Sequence, residues 1–311
     1  MLRILIVDPM SQVIKETLES KFPDVYVTVA KDDAEAMSYV EEAEVLSFFK
    51  VSDALMAKAR KLKWIQAMTT GTDYIFALPS LPKDIIITST RGIHGPQMSE
   101  MAILLMLALN RGLPKVVRNQ DAHAWERWPG KLLLNKKVGI LGSGISAEAI
   151  AQKCQAFSME VHCVGTVKRE IPGVDFFHVR SELHDVMKLA DYVIIVAPNT
   201  PENRNLIDAA ALDQMKPDAF LINIGRGELI DDEALVAALK EKKIGGAALD
   251  TFDIEPLPKD SPFWDLDNVL LTPHLAGMSD IYAQQVLTVF EENLKRYLAG
   301  ERTDLVNVVK H

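Results

Sequence analysis

The sequence predicts an α/β protein with two doubly wound parallel-sheet domains and a cleft between them. Short β-rich runs alternate with helical patterns along almost the whole chain, which is typical of βαβ units and parallel sheets. The 311 residues suggest two domains, since a domain takes roughly 150 residues. A hydrophobic content of 48% is sufficient for a large core in each of them.

The first hundred residues contain five predicted strands with helical patterns between them, such as the one over 11–21. The strands are predicted at 4–7, 25–29, 45–49, 64–67 and 85–88. A helix is predicted over 98–117, and its segment MAILLMLAL is apolar on nearly every side. Such a helix must be covered by protein, so we expect it in the core or at a contact with a second subunit.

The alternation resumes after residue 130 with six further predicted strands. They lie at 138–141, 160–164, 192–196, 219–223, 246–249 and 269–271. The last helical pattern, 279–298, follows the final strand and is expected to cross back to the first domain. We therefore predict a first domain of residues 1–97 with 283–311, and a second domain of 98–282 that includes the long apolar helix 98–117.

Composition excludes several classes of function. The formal charge is −9 and there is no run of five Lys or Arg residues, so we expect no nucleic-acid partner. The two cysteines, Cys154 and Cys163, form no CxxC pair, which predicts neither a disulfide framework nor a metal site. The longest apolar run, 101–109, is far shorter than a membrane span, and the N-terminal apolar run is too short for a signal peptide. We expect a cytoplasmic protein.

The stretch KKVGILGSGISAEAIA has the pattern of a phosphate-binding turn between a strand and a helix. Gly142 would permit the tight turn, and Gly144 would let the backbone approach a pyrophosphate at the helix N-terminus. Ala147 takes the third position, where close helix packing is needed. We predict that Gly142, Gly144, Ile145 and Ser146 bind the cofactor, whereas a tight turn without a ligand is the structural alternative.

The strand after this turn lacks the acidic residue that usually binds the ribose hydroxyls of NAD. It ends in GTVKRE, which places Thr166, Lys168 and Arg169 where a 2′-phosphate would lie. Charge-assisted contacts to phosphate are strong. We therefore predict NADP as the preferred cofactor, with NAD possible if the two cations are only solvated loop charges.

Ionisable residues follow three successive predicted strands in the second domain. Arg226 follows the first, Asp250 and Glu255 follow the second, and His274 follows the third. Ligands of open parallel sheets bind beyond the carboxyl ends of the strands, so these side chains are expected to converge at one edge. Each residue alone has an ordinary structural explanation, but their joint occurrence favours a catalytic site.

The chemistry of these residue types fits reduction of a carbonyl group next to a carboxylate. Such a reaction needs a hydride from reduced nicotinamide and a proton for the forming alkoxide, and we assign the proton to His274. Glu255 would orient the imidazole and favour its protonated form. Arg226 offers a planar fork of donors that can grip the substrate carboxylate and polarise the carbonyl.

The stretches LINIGRGELIDDEAL, AALDTFDIEPLPKDSPFW and NVLLTPHLAG, with APNTPENRNLID and the glycine turn, resemble the D-isomer-specific 2-hydroxyacid dehydrogenases. The resemblance implies two Rossmann-like domains, a homodimer and reduction of a small 2-oxo acid to the D-2-hydroxy acid. The acid-free strand end and RGIHGPQMSE are most similar to the NADPH-dependent glyoxylate and hydroxypyruvate reductases.

The resemblance also implies roles that residue types alone do not predict. The backbone N–H groups of Thr70 and Gly71 would receive the substrate carboxylate, together with Arg226. Further residues would contact the cofactor: Asp250 at the nicotinamide carboxamide, Pro198 and Ile224 along the cofactor cleft, and Gly277 beside the nicotinamide.

Two other functions of the same fold stay open at this point. A dinucleotide-sensing, corepressor-like binding protein would bind the cofactor without turnover. A formate dehydrogenase would resemble this chain but carry Gln where Glu255 stands. The presence of Arg226, Glu255 and His274 together favours the oxo-acid reductase.

Overall fold

The computed structural model describes residues 1–8 and 11–309 and divides the chain into two compact units. One unit comprises Met1–Ile93 with Ser279–His311, and the other comprises His94–Met278. Each boundary falls a few residues before the predicted one. The predicted α/β class with two parallel sheets is confirmed.

The first unit is built on a five-stranded parallel sheet in the order β2-β1-β3-β4-β5. This is one of the two common doubly wound orders. Its strands are β1 (Leu2–Val7), β2 (Val25–Ala30), β3 (Val45–Phe48), β4 (Trp64–Ala67) and β5 (Ile86–Thr88). The intervening helices are α1 (Gln12–Lys21), α2 (Asp33–Ala36), α3 (Asp53–Lys58) and α4 (Asp73–Phe76).

The second unit is built on a seven-stranded parallel sheet in the order β12-β11-β10-β9-β6-β7-β8. Its strands are β6 (Lys137–Leu141), β7 (Glu160–Gly165), β8 (Phe176–Val179), β9 (Tyr192–Ile195), β10 (Phe220–Asn223), β11 (Gly246–Leu249) and β12 (Val269–Leu271). The chain runs outward from β6 to β8 and then returns to add β9 on the other side of β6. Such a reversal is the point where ligands bind in doubly wound sheets.

Helices cover both faces of this sheet, and a last helix returns to the first unit. Those of the second unit are α5 (Gly95–Arg111), α6 (Leu113–Asp121), α7 (Ile145–Ala156), α8 (Leu183–Leu189), α9 (Ala209–Leu212) and α10 (Asp232–Lys240). The returning helix is α11 (Tyr282–Leu298), whose Val286, Phe290 and Leu294 are buried in the core with Ile4 and Val27 of the first sheet. Among the described residues, no helix has the length and apolar character that a membrane span requires.

The prediction of one continuous helix over 98–117 is wrong. The chain breaks at Gly112, which adopts φ 66° and separates α5 from α6. Glycine carries no Cβ and therefore enters this left-handed conformation readily. The apolar face of α5 is only partly covered, since Leu105 and Met106 are buried whereas Leu104 is 55% exposed.

Strand β8 was not predicted because its residues do not alternate between apolar and polar. It lies at the edge of the sheet, and Phe176 and Val179 are exposed. Its backbone pairs with β7 in parallel register, and side-chain contacts between the two strands add to this pairing. The ring of His162 stacks on Phe176 with centroids 4.9 Å apart, and its Nδ1 lies 2.9 Å from Nε2 of His178.

Candidate active site

The glycine turn lies between β6 and α7, at the point where the sheet order reverses. Gly142 adopts φ 120°, and a Cβ there would come within 2.9 Å of the backbone of Val196 and Ala197, so only glycine fits. A Cβ on Gly144 would meet nothing within 4 Å, which leaves open space in front of the turn. Ala147 is fully buried in the helix packing, as its position in the pattern requires.

The end of β7 carries its cations close to this turn. Thr166, Lys168 and Arg169 are exposed in the segment that follows Gly165. The guanidinium of Arg169 donates a hydrogen bond to the carbonyl oxygen of Ser143, inside the glycine turn. The cation of Arg169 therefore lies beside the turn. In NAD-binding proteins an acidic residue follows this strand, and its charge would repel a phosphorylated ribose.

His274 and Glu255 form a hydrogen-bonded pair at the carboxyl edge of the second sheet. Nδ1 of the imidazole lies 2.8 Å from Oε2 of the carboxylate. The other oxygen, Oε1, accepts a hydrogen bond from the N–H of Phe252 at 3.0 Å. The carboxylate is thus held by its own loop, and the side chain of His274 is 46% exposed. Because Nδ1 is engaged, Nε2 is the imidazole nitrogen that remains for a substrate.

The backbone at His274 is held in an unusual conformation by Asp250. His274 has φ 53°, a left-handed value that costs energy for a residue with a Cβ. Its N–H donates to the carbonyl oxygen of Asp250 at 2.9 Å. The buried carboxylate of Asp250 accepts from the Thr272 hydroxyl at 2.5 Å, from Leu275 N at 2.8 Å and from Ala276 N at 2.9 Å.

Arg226 follows β10 and is half-buried. Its guanidinium donates to the carbonyl oxygen of Gly225 at 2.8 Å. The fully buried side chain of Asn223 spans the same turn, since Nδ2 donates to the Arg226 carbonyl oxygen at 2.9 Å and Oδ1 accepts from Gly225 N at 3.0 Å. Arg226, Glu255 and His274 thus follow the neighbouring strands β10, β11 and β12 at one edge of the sheet.

His94 is a site neighbour that the sequence analysis did not single out. It precedes α5, and its ring Cδ2 would lie 3.5 Å from a Cβ placed on Gly277. Burial, and then the positive charge of Arg226, lower the pKa of the His94 imidazole to about 4, so it is neutral at pH 7. The only sequence signal was its place in the RGIHGPQMSE stretch.

The remaining predicted residues lie at the carboxyl ends of strands or in the loops that follow them. Thr70 and Gly71 follow β4 in the first unit, where the Thr69 hydroxyl donates to the Gly71 carbonyl oxygen at 2.6 Å. In the second unit, Pro198 follows β9 and its carbonyl oxygen accepts from Asn203 Nδ2 at 2.9 Å. Ile224 is buried directly after β10, and the carbonyl oxygen of Gly277 accepts from Gln97 Nε2.

The residues around the glycine turn fit a dinucleotide. The N-cap residue of α7 is Gly144, which has no side chain to cap the first N–H groups of the helix, and a Cβ placed on it would meet nothing within 4 Å. Such N–H groups favour an anion, as a pyrophosphate is. Gly142, Gly144, Ile145 and Ser146 would hold the pyrophosphate, and the cations after β7 would lie toward the ribose.

Comparison with known proteins agrees with this geometry. Residues 103–276 match the model of the D-isomer specific 2-hydroxyacid dehydrogenase NAD-binding domain. D-3-phosphoglycerate dehydrogenase of Methanocaldococcus jannaschii is 31% identical over 98% of this chain, which spans only 59% of that relative's length. Glyoxylate reductase of Thermofilum pendens is 32% identical over 81% of this chain and 76% of its own length.

Solved structures of the same family are also similar. A family member from Aeromonas salmonicida has a TM-score of 0.90 at 31% identity and covers 99% of both chains. An NADPH-dependent glyoxylate/hydroxypyruvate reductase from Sinorhizobium meliloti, in complex with NADP and sulfate, has a TM-score of 0.85 at 26% identity and covers 100% of this chain and 98% of its own. The chain therefore belongs to the D-isomer specific 2-hydroxyacid dehydrogenases, a family of NAD(P)-dependent oxidoreductases.

Proposed function

We propose that the protein reduces a small 2-oxo acid of the glyoxylate or hydroxypyruvate type with NADPH and yields the D-2-hydroxy acid where the product is chiral. The observation that carries the proposal is the hydrogen bond between His274 and Glu255 at the carboxyl edge of the second sheet. A homodimer and a cytoplasmic location stay predictions from the sequence.

His274 acts as the proton donor in this proposal. Glu255 accepts from Nδ1 of the imidazolium and balances its positive charge, so that Nε2 carries the proton toward the substrate. When the reaction ends, the proton has moved from Nε2 to the new hydroxyl oxygen. Reduced nicotinamide, when bound, supplies the hydride that reaches the same carbonyl group.

Arg226 binds the substrate and stabilises the charge that develops on it. Its guanidinium can donate to a carboxylate oxygen and to the adjacent carbonyl oxygen, which fixes the oxo acid in one orientation. Negative charge grows on the carbonyl oxygen during reduction, and a nearby fixed cation stabilises it. We propose that the N–H groups of Thr70 and Gly71 supply further donors to the carboxylate.

A small substrate and NADPH are supported by different observations. The Thermofilum pendens relative is named a glyoxylate reductase, and the Sinorhizobium meliloti structure holds NADP. The cations Lys168 and Arg169 beside the glycine turn suit a phosphorylated ribose. The relative from Methanocaldococcus jannaschii acts on a phosphorylated acid by its name, so the oxo acid of D-3-phosphoglycerate belongs in the substrate test.

The function is tested by following NADPH absorbance with glyoxylate, hydroxypyruvate, pyruvate and 3-phosphohydroxypyruvate, and by repeating each assay with NADH. We expect the largest kcat/KM for glyoxylate or hydroxypyruvate with NADPH. Turnover of only the phosphorylated acid would refute the substrate assignment. Tight NADPH binding without turnover of any oxo acid would instead indicate a dinucleotide-sensing protein.

Replacing Lys168 and Arg169 together with alanine is expected to raise the KM for NADPH by about 10- to 100-fold and the KM for NADH by less than about threefold. The reason is that only NADPH loses a charge-assisted contact to its 2′-phosphate, and the net loss of one such hydrogen bond, worth about 1.5–3 kcal/mol, corresponds to an increase of this size. Steady-state kinetics with both cofactors measure the effect. Lys188→Ala, on α8, is a control for loss of surface charge. Equal increases in the KM for NADPH and the KM for NADH would show that these cations do not bind the 2′-phosphate.

A further inference from the structure

We propose that Asn223 and Asp250 form a buried hydrogen-bonded frame that sets the position of Arg226 relative to His274. Both frame residues have fully buried side chains, and they lie at the ends of the neighbouring strands β10 and β11. The inference rests on the proposed function, because Arg226 and His274 are its catalytic residues. We assign Asn223 the role of positioning Arg226. Asp250 positions the loop of His274, in addition to its predicted contact with the cofactor.

The first arm of the frame holds Arg226. The side-chain amide of Asn223 donates to the carbonyl oxygen of Arg226 and accepts from the N–H of Gly225. These two bonds close the turn after β10 on both sides of the peptide that carries the guanidinium. The direction in which Arg226 leaves the sheet is therefore determined by one side chain that itself cannot reach a substrate.

The second arm holds the loop of His274. The Asp250 carboxylate accepts from the N–H groups of Leu275 and Ala276, which directly follow His274 in the chain. The Asp250 carbonyl oxygen accepts from the N–H of His274 itself. These bonds hold the imidazole-bearing residue at φ 53°, a conformation that needs support from outside the residue.

A backbone hydrogen bond joins the two arms. The N–H of Asp250 donates to the carbonyl oxygen of Asn223 at 2.9 Å. The path from the Arg226 peptide to the His274 peptide is thus continuous through Asn223 and Asp250. A proton donor and a carboxylate clamp must be placed to within a fraction of an ångström, and a displacement of about 1 Å costs on the order of a hundredfold in rate.

Asn223→Asp tests the first arm, because aspartate keeps the acceptor for Gly225 N and removes the donor to the Arg226 carbonyl. We expect kcat/KM to fall at least about tenfold in the protein that retains Arg226, and less than about twofold in an Arg226→Ala background. Enzyme-excess single turnovers measure the slow variants. NADPH affinity, measured by titration of protein fluorescence, is expected to change less than about threefold in either background.

Asn293→Asp is the matched control. Asn293 in α11 is also fully buried, and its side chain likewise accepts from a backbone N–H and donates to a backbone carbonyl oxygen, both of Val306. This variant is expected to melt at a lower temperature than the wild type. Its effect on kcat/KM is expected to be the same with and without Arg226. Equal losses for Asn223→Asp with and without Arg226 would overturn the first arm, since a merely structural effect is additive.

Asp250→Asn tests the second arm in the same way, with His274→Ala as the second background. Asparagine replaces one acceptor oxygen by a donor, which then faces an N–H group of the His274 loop. We expect the loss in kcat to vanish when His274 is absent. A loss in kcat of equal size in both backgrounds, whatever the change in NADPH affinity, would show that Asp250 does not act through His274 and would overturn this arm. A wild-type protein that reduces no oxo acid would refute the proposed function and the frame together.

Discussion

Replacing His274 with alanine is expected to lower kcat by about 10³-fold with the best 2-oxo acid, within the range of about 10²–10⁴ found for general acid catalysis. Nε2 of His274 is the proposed source of the proton, since the other ring nitrogen, Nδ1, is hydrogen-bonded to Glu255. Loss of the imidazole leaves the forming alkoxide to take its proton from water. Steady-state kinetics with saturating NADPH measure the effect.

The affinity for NADPH separates a catalytic role from a structural one. The His274→Ala protein is expected to bind NADPH nearly as tightly as the wild type, because the glycine turn at Gly142 and Gly144, which we propose holds the pyrophosphate, is on a different loop. His184→Ala, an exposed position on α8, serves as the control and is expected to keep full activity. If turnover and NADPH affinity fall together in His274→Ala, the histidine supports the fold and does not donate the proton.

Replacing Arg226 with lysine is expected to lower kcat/KM by about 10²–10³-fold, the usual cost of losing one donor to a developing oxyanion. The positive charge remains, but lysine has no rigid fork with which to hold a carboxylate and a carbonyl oxygen together. The loss is expected in kcat as well as in KM, because the polarising contact strengthens toward the transition state. Initial rates over a range of oxo-acid concentrations give both parameters.

Arg118→Lys, on the exposed surface of α6, is the matched control and is expected to change kcat/KM less than about twofold, as surface substitutions usually do. A reduction of kcat/KM by Arg226→Lys that appears only in KM would limit Arg226 to binding the substrate. No reduction in either parameter would remove Arg226 from the site. Both outcomes would leave the assignment of His274 unaffected.

The sequence was sufficient to predict that the candidate residues follow parallel strands, and the structure places those strands, β10, β11 and β12, next to one another. The segments before Arg226, Asp250 and His274 are apolar runs of the length of buried strands, and parallel strands present their carboxyl ends at one edge. The glycine turn was equally predictable from the sequence, since Gly142 adopts a φ of 120° that few other residues tolerate. Local signals of this kind need no knowledge of distant contacts.

Other elements depend on tertiary contacts that no local pattern encodes. Strand β8 lies in the sheet because its backbone pairs with β7, and His162 on β7 adds a ring contact with Phe176 and a hydrogen bond with His178, none of which produces an alternating pattern. The break at Gly112, by contrast, has a local signal that the prediction of one helix overlooked, since glycine followed two residues later by Pro114 is a common helix stop. The φ of 66° at Gly112 is the left-handed conformation that such a stop adopts.

The supporting residues of the site could not be identified from the sequence for a similar reason. Asn223 precedes a turn and would ordinarily be counted as a turn residue, whereas its two side-chain bonds to that turn are visible only in the fold. His94 is far from Arg226 along the chain, and its lowered pKa arises from burial and from that guanidinium. The resemblance to the family implied that Asp250 contacts the cofactor. It did not indicate that three groups of the following loop donate hydrogen bonds to the Asp250 carboxylate.

The position of α11 in the first unit has a consequence for biosynthesis. The first unit's core needs Phe290 and Leu294, yet the whole of His94–Met278 leaves the ribosome before them. At about 5–20 residues per second, the apolar face of the first sheet waits on the order of ten seconds or longer for that helix. During translation, this face of the nascent sheet stays without α11, whereas the second unit can complete its own core beforehand.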